Sequence, residues 1–147
     1  MHFGAFLERS LEFDTNLAFC GVTGDTAVLL PNGDVVIDIG SPSQFYDPSK
    51  NVWKPTLGQT FGGPLASLAN GKVLTVAGST AELYDPSTNE WTQTGSLKQG
   101  LFGGLTLTRL LNGQVLVAGG EIETHTTKGC ITRTIISTVA SAELYTP

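Results

Sequence analysis

Residues 64–95 read PLASLANGKVLTVAGSTAELYDPSTNEWTQTG. Several local signals follow one another in this stretch. Residues 65–68 form a short apolar run. Asn70-Gly71 is a tight-turn signal, since both residue types tolerate positive φ. Residues 73–77, VLTVA, are nearly all apolar or β-branched, the pattern of a strand buried on both faces. Gly78 ends that run, and Leu83-Tyr84 marks a third strand. In Asp85-Pro86-Ser87-Thr88-Asn89, Pro fixes φ while Asp and Asn bond the local backbone, which makes a turn. Trp91 opens a fourth strand.

The same order recurs on both sides, and internal repetition outranks any single motif in reading a fold. Residues 26–56 read TAVLLPNGDVVIDIGSPSQFYDPSKNVWKPT. Asn32-Gly33, Asn70-Gly71 and Asn112-Gly113 recur at offsets of 38 and 42 residues. Tyr46-Asp47-Pro48 and Tyr84-Asp85-Pro86 are 38 apart, as are Trp53 and Trp91. A third copy runs LTLTRLLNGQVLVAGG over residues 105–120 and resumes as SAELYTP over 141–147. The expected fold is all-β, with four antiparallel strands per unit and no helical period. The units span 26–63, 64–105 and 106–147, after an N-terminal segment at 1–25. Tyr46, Tyr84, Trp53 and Trp91 are expected to be mostly buried between strands or units.

Composition agrees and narrows the function. The chain has 147 residues, 40% of them hydrophobic and 14% charged, with 18 Gly and 7 Pro. That is too apolar for a disordered chain and suits short strands with tight turns. The net charge of −5, without a basic stripe, argues against a nucleic-acid partner. No apolar run approaches the ~20 residues of a membrane helix. The first residues, MHFGAFLER, lack a basic segment followed by a continuous apolar stretch, so no secretory signal is recognised. Cys20 and Cys130 lie far apart without C-x-x-C spacing, and read as isolated thiols.

A hydrophobic strand ending in glycine, then a Tyr, then a Trp seven residues later resembles the kelch repeat. Residues 115–120, VLVAGG, and 81–91, AELYDPSTNEW, are similar to repeats of bacterial kelch proteins and of the galactose oxidase superfamily. The resemblance covers roughly residues 24–147. It implies about three four-stranded β-propeller blades, with ligand or partner binding on one loop face or at the central channel. The copies depart from the pattern in places: Gly40-Ser41 and Gly78-Ser79 stand where the third copy has Gly119-Gly120, and the third copy has no Trp. The Asp-box of sialidase-type propellers does not fit, because the turn at 85–91 lacks its glycine and its acid is misplaced. The copper site of galactose oxidase-like chemistry is not visible either.

Propellers close with about four to eight blades. Three blades therefore predict either a fragment of a longer propeller or a head-to-tail homodimer completing a six-bladed ring. Residues 11–17, LEFDTNL, resemble 89–95, NEWTQTG, with Phe13 at the Trp position. That segment could supply the outermost strand of another chain's third unit.

Antiparallel connectivity places the Asn-Gly and Asp-Pro turns on one face. The loops at 57–63 and 96–104 fall on the other, together with an insert in the third unit. Gly78 and Ala81 are three residues apart, whereas Gly119 and Ala142 are 23 apart. The insert, about 120–141, alternates and is rich in Thr and Ile, which predicts a hairpin. Candidate binding residues are Phe61 and Phe102 in the irregular loops, and Glu123, His125 and Arg133 in the insert. Arg109, in an innermost strand, is a candidate anion contact. Glu121, Glu123 and His125 share one strand face, with Cys130 near the tip, but no second firm ligand pair accompanies them. No metal, cofactor or catalytic set is expected. Asp38, within an apolar strand, is expected to be paired for structural reasons. The functional expectation is a non-catalytic binding or protein-interaction module for a protein or glycan ligand. The alternative is a fragment of a kelch-propeller enzyme acting on carbohydrate, of oxidase, lyase or epimerase type. Neither nucleic acid nor membrane is expected as a partner.

Overall fold

A computed structural model describes residues 26–38, 42–58, 60–128 and 131–147. The N-terminal segment with Phe13, and both cysteines, lie outside the described residues. The described residues form ten strands: β1 (Thr26–Leu29), β2 (Val35–Asp38), β3 (Gln44–Asp47), β4 (Val52–Pro55), β5 (Leu65–Ser67), β6 (Val73–Asp85), β7 (Glu90–Arg109), β8 (Val115–Lys128), β9 (Ile131–Thr138) and β10 (Ala142–Tyr145). The protein is all-β. One sheet has four strands in the order β1-β2-β3-β4. The other has six, ordered β10-β8-β7-β6-β5 with β9 on β8. Among the described residues no helix is long and apolar enough to cross a membrane.

The repeat in the sequence is a repeat in register. Leu29 pairs with Val35, Ser67 with Val73 and Arg109 with Val115. Val35 faces Tyr46 and Val115 faces Tyr145. Tyr46 pairs with Trp53 and Tyr84 with Trp91. β6 is 13 residues long. Drawn straight, it would separate its ends by roughly 40 Å. Yet Lys72 Nζ is 3.0 Å from Asp85 Oδ2, and Val73 and Tyr84 share one buried cluster. β6 therefore doubles back around Gly78, whose φ is 61°, and supplies both middle strands of the second unit.

Two expectations about elements are corrected. Residues 96–104, read as a loop, lie inside β7. Their backbone bridges β6 at Gly78↔Leu101 and Thr80↔Ser96, and β8 at Phe102↔Glu121. Neighbours on both sides supply the hydrogen bonds of this glycine-rich stretch, and the register shifts between Phe102 and Leu105, where Gly103 and Gly104 take positive φ. As a result β7 joins the second and third units into one sheet, where separate four-stranded sheets were expected. The Asn-Gly turns also differ from the expected form, since only the glycines (Gly33, Gly71, Gly113) take positive φ. Each Asn instead accepts the backbone N–H two residues on, from Asp34, Lys72 and Gln114, at 3.1 Å in all three. A turn followed by a left-handed glycine is the usual three-residue hairpin loop.

The core lies between units. One cluster packs Leu30 and Val36 of the first unit against Leu65, Val73, Tyr84 and Trp91 of the second. Another packs Leu68, Leu74 and Val76 of the second unit against Val115, Val117 and Tyr145 of the third. Alternate residues of a strand point to opposite faces, so each unit has a front, bearing its Tyr, and a back. The back of one unit receives the front of the next. This overturns one expectation. Trp91 is 4% exposed, but Trp53 is 39% exposed and Tyr46 only half-buried. Trp53 belongs to the front of the first unit, and no described element lies against that front.

Candidate functional site

The regular turns and the irregular segments define the two ends of the stack. At one end, Asn32, Asn70 and Gly71 of the Asn-Gly turns meet Asp85-Pro86-Ser87 in a shallow groove. At the other end lies a cleft of about 850 Å³. Its walls come from residues 61–64, 77–80 and 100–105, with Glu123 at the margin. The opposite-face sorting of the loops was thus legible in the antiparallel connectivity.

Two aromatic side chains stand on the cleft, Phe61 at 64% and Phe102 at 50% exposure. Burial of an aromatic ring is a large favourable contribution, so two bare rings flanking a cleft form an adhesive surface. The floor is backbone. A Cβ on Gly63 would collide with the Val76 carbonyl oxygen, so glycine lets the two segments touch. Thr26 Oγ1 donates to the Gly63 carbonyl at 2.9 Å and fixes the loop from the neighbouring unit.

Beneath Phe61 lies a polar network. Asp38 is fully buried. Its carboxylate accepts from Ser43 Oγ at 2.7 Å and Thr60 Oγ1 at 2.9 Å. Thr60 Oγ1 in turn accepts from Gly62 N–H at 3.2 Å. Glu82, also buried, accepts from Phe61 N–H at 3.4 Å. Burial pushes the Glu82 carboxyl above its usual range, and the nearby Asp38 charge adds to that, opposed by the Phe61 and Thr60 bonds. Asp38 has the structural partners expected of it. Glu82 escaped the sequence reading, yet a signal was there: Ala-Glu-Leu occurs at both 81–83 and 142–144. Glu143 does the corresponding job, accepting from Lys98 N–H at 3.0 Å. In both places the acid catches the backbone of the segment crossing from the preceding unit.

Of the six candidate residues, the structure gathers three at the cleft: Phe61, Phe102 and Glu123. His125 and Arg133 lie further out on the β8–β9 ribbon, both exposed, opposite Thr134 and Thr126. His125 Nδ1 is 3.1 Å from Thr134 Oγ1, and its Nε2 is 3.6 Å from Glu123 Oε2. A hydroxyl, an imidazole and a carboxylate stand in line there, but on an exposed ribbon where water competes for each bond. Arg109 ends β7 beside the Asn112-Gly113 turn, at the far end from the cleft, and is exposed. Among the described residues no three His, Cys, Asp or Glu side chains gather to hold a metal ion. No protein-family profile matches this chain, and no curated protein matches it.

Proposed function

We propose that this chain is a non-catalytic binding module built of kelch-type β-propeller blades, and that its ligand sits in the cleft between Phe61 and Phe102. The observation that carries the reading is the cleft itself. It is formed by irregular segments over a regular scaffold, which is where binding residues concentrate. Its chemistry is that of a surface that holds a ligand without transforming it. Two rings offer apolar faces, Glu123 offers an acceptor, and the glycine backbone admits close approach. The repeated turns, the unit-on-unit packing and the Tyr/Trp pairs support the blade reading, which rests on the kelch-like spacing.

The ligand class is a glycan or an extended protein segment. A glycan array and a peptide array, each probed with the native chain and with Phe61→Ala/Phe102→Ala, test the site. The expected result is binding on one array that falls at least tenfold in the double variant. Binding untouched by the double variant would overturn the cleft assignment, and turnover of a sugar would overturn the non-catalytic reading.

A further inference from the structure

We infer that the front of the first unit and the back of the third are the two halves of one junction, and that each is covered by a second copy of this chain. The chain already makes this junction twice within itself. In the first, the front residues Val73, Tyr84 and Trp91 are buried on the back of unit one. In the second, the back residues Leu68, Leu74 and Leu83 are covered by the front of unit three. The unpaired faces carry the same residue types at the same register positions. Val35, Tyr46 and Trp53 stand on the open front, and Leu110, Leu116 and Leu144 on the open back. Each half has therefore been seen buried against the other's kind.

Exposure marks where the match is unused. Leu144 is 56% exposed, whereas its counterpart Leu83 packs against a core cluster. On the front, Leu29 is 68% exposed. It shares that face because its neighbours Val28 and Leu30 point the other way, into the first cluster. Large bare aliphatic and aromatic groups at both ends of a stack are what a repeat array presents when its next unit is supplied from elsewhere. Front-to-back contact is heterologous, and it closes only if the rotations sum to a full turn. Two copies would place six such units in one ring, within the usual four to eight blades. The inference rests on the stacked-blade reading but not on the cleft's ligand.

The test is solution mass by light scattering at micromolar concentration, for the native chain and three single-face variants. Trp53→Asp breaks the front and Leu144→Asp the back, with Leu29→Asp as a second front variant that leaves the Tyr46–Trp53 pair intact. Near-UV circular dichroism and cooperative unfolding establish that each variant is folded, which separates loss of pairing from loss of the blade fold. The native chain is expected at twice the chain mass and each variant at the single mass. Mixed one to one at the highest soluble concentration, Trp53→Asp and Leu144→Asp should recover a two-chain species, since the mixture retains one intact front and one intact back. A folded native monomer would overturn the inference. So would a Leu144→Asp variant that stays paired by itself, because that would mean front meets front.

Discussion

Trp53 and Trp91 occupy the same place in two copies of one repeat, and their surroundings differ. The Trp91 indole N–H donates to Thr56 Oγ1 at 3.2 Å and its ring lies 5.2 Å from Tyr84. Trp53 keeps the matching contact, 4.9 Å from Tyr46, with none of the described elements in front of it. Trp91→Ala should cost about 3–5 kcal/mol, as for a large buried aromatic. Trp53→Ala should cost about 1–2 kcal/mol, in proportion to the smaller area removed from water. Urea unfolding of the two variants, at a dilution where light scattering gives the single-chain mass, checks this, and equal losses there would contradict the assignment of faces. Nothing local to either tryptophan distinguishes them, so this difference was not legible in the sequence. The turn residues are the opposite case, because their roles are local. Asp85 accepts Ser87 N–H at 2.9 Å and Ser87 Oγ at 2.6 Å. Tyr84 OH donates to Asn89 Oδ1 at 2.9 Å, and Asn89 takes a φ of 57°. The bonds from Ser87, then that from Lys72, hold the Asp85 carboxyl down at about 2, below its usual 3.8. Its contribution is therefore present above about pH 4 and is lost as pH falls through 2. Asp85→Asn should flatten the melting-temperature profile across that window and leave the profile above pH 5 parallel to that of the native chain.

At the scale of elements, the third unit shows what a repeat tolerates. The outer half of β8 pairs with β9 from Glu121↔Thr138 to Lys128↔Ile131. The inner half pairs with β7 and β10, where it carries the buried Val115 and Val117. The junction is sealed by Gly119 N–H to the Ser141 carbonyl and Val139 N–H to the Gly120 carbonyl, both at 3.0 Å. Outside that seal the ribbon is a two-stranded structure with both faces in water, which has little stability of its own. Amides at 124–127 should exchange with solvent well before those at 115–117. Replacing residues 121–138 by a short glycine-containing turn, on the pattern of unit two, should leave the melting temperature within a few degrees of the native value. A collapse of the fold would show that the ribbon is part of the core. The ribbon was legible because Thr/Ile alternation is a strand signal in its own right. The strand character of residues 96–104 was not, because their partners lie on β6 and β8 and glycine carries no periodic signal. The cleft was half legible for the same reason. Phe61 and Phe102 stand out as aromatics in glycine-rich loops, while the bond from Phe61 N–H to Glu82 exists only once two units are packed.

Across the whole molecule, stability accumulates at the contacts between units, and each unit depends on its neighbours for one of its faces. The internal repeat therefore predicts the packing rule, front on back, before any side chain is placed. The faces left open by that rule are the ones proposed to meet a second copy. The two tryptophans report on the rule at its two ends, and iodide quenching of their fluorescence tests it most directly. Trp53→Phe leaves Trp91 as the sole reporter, and Trp91→Phe leaves Trp53. Trp91 should be protected at every protein concentration. Trp53 should be accessible in dilute solution and become protected as concentration rises and chains pair. Two tryptophans quenched equally in the folded chain, at all concentrations, would contradict the stacking of units and the open front with it.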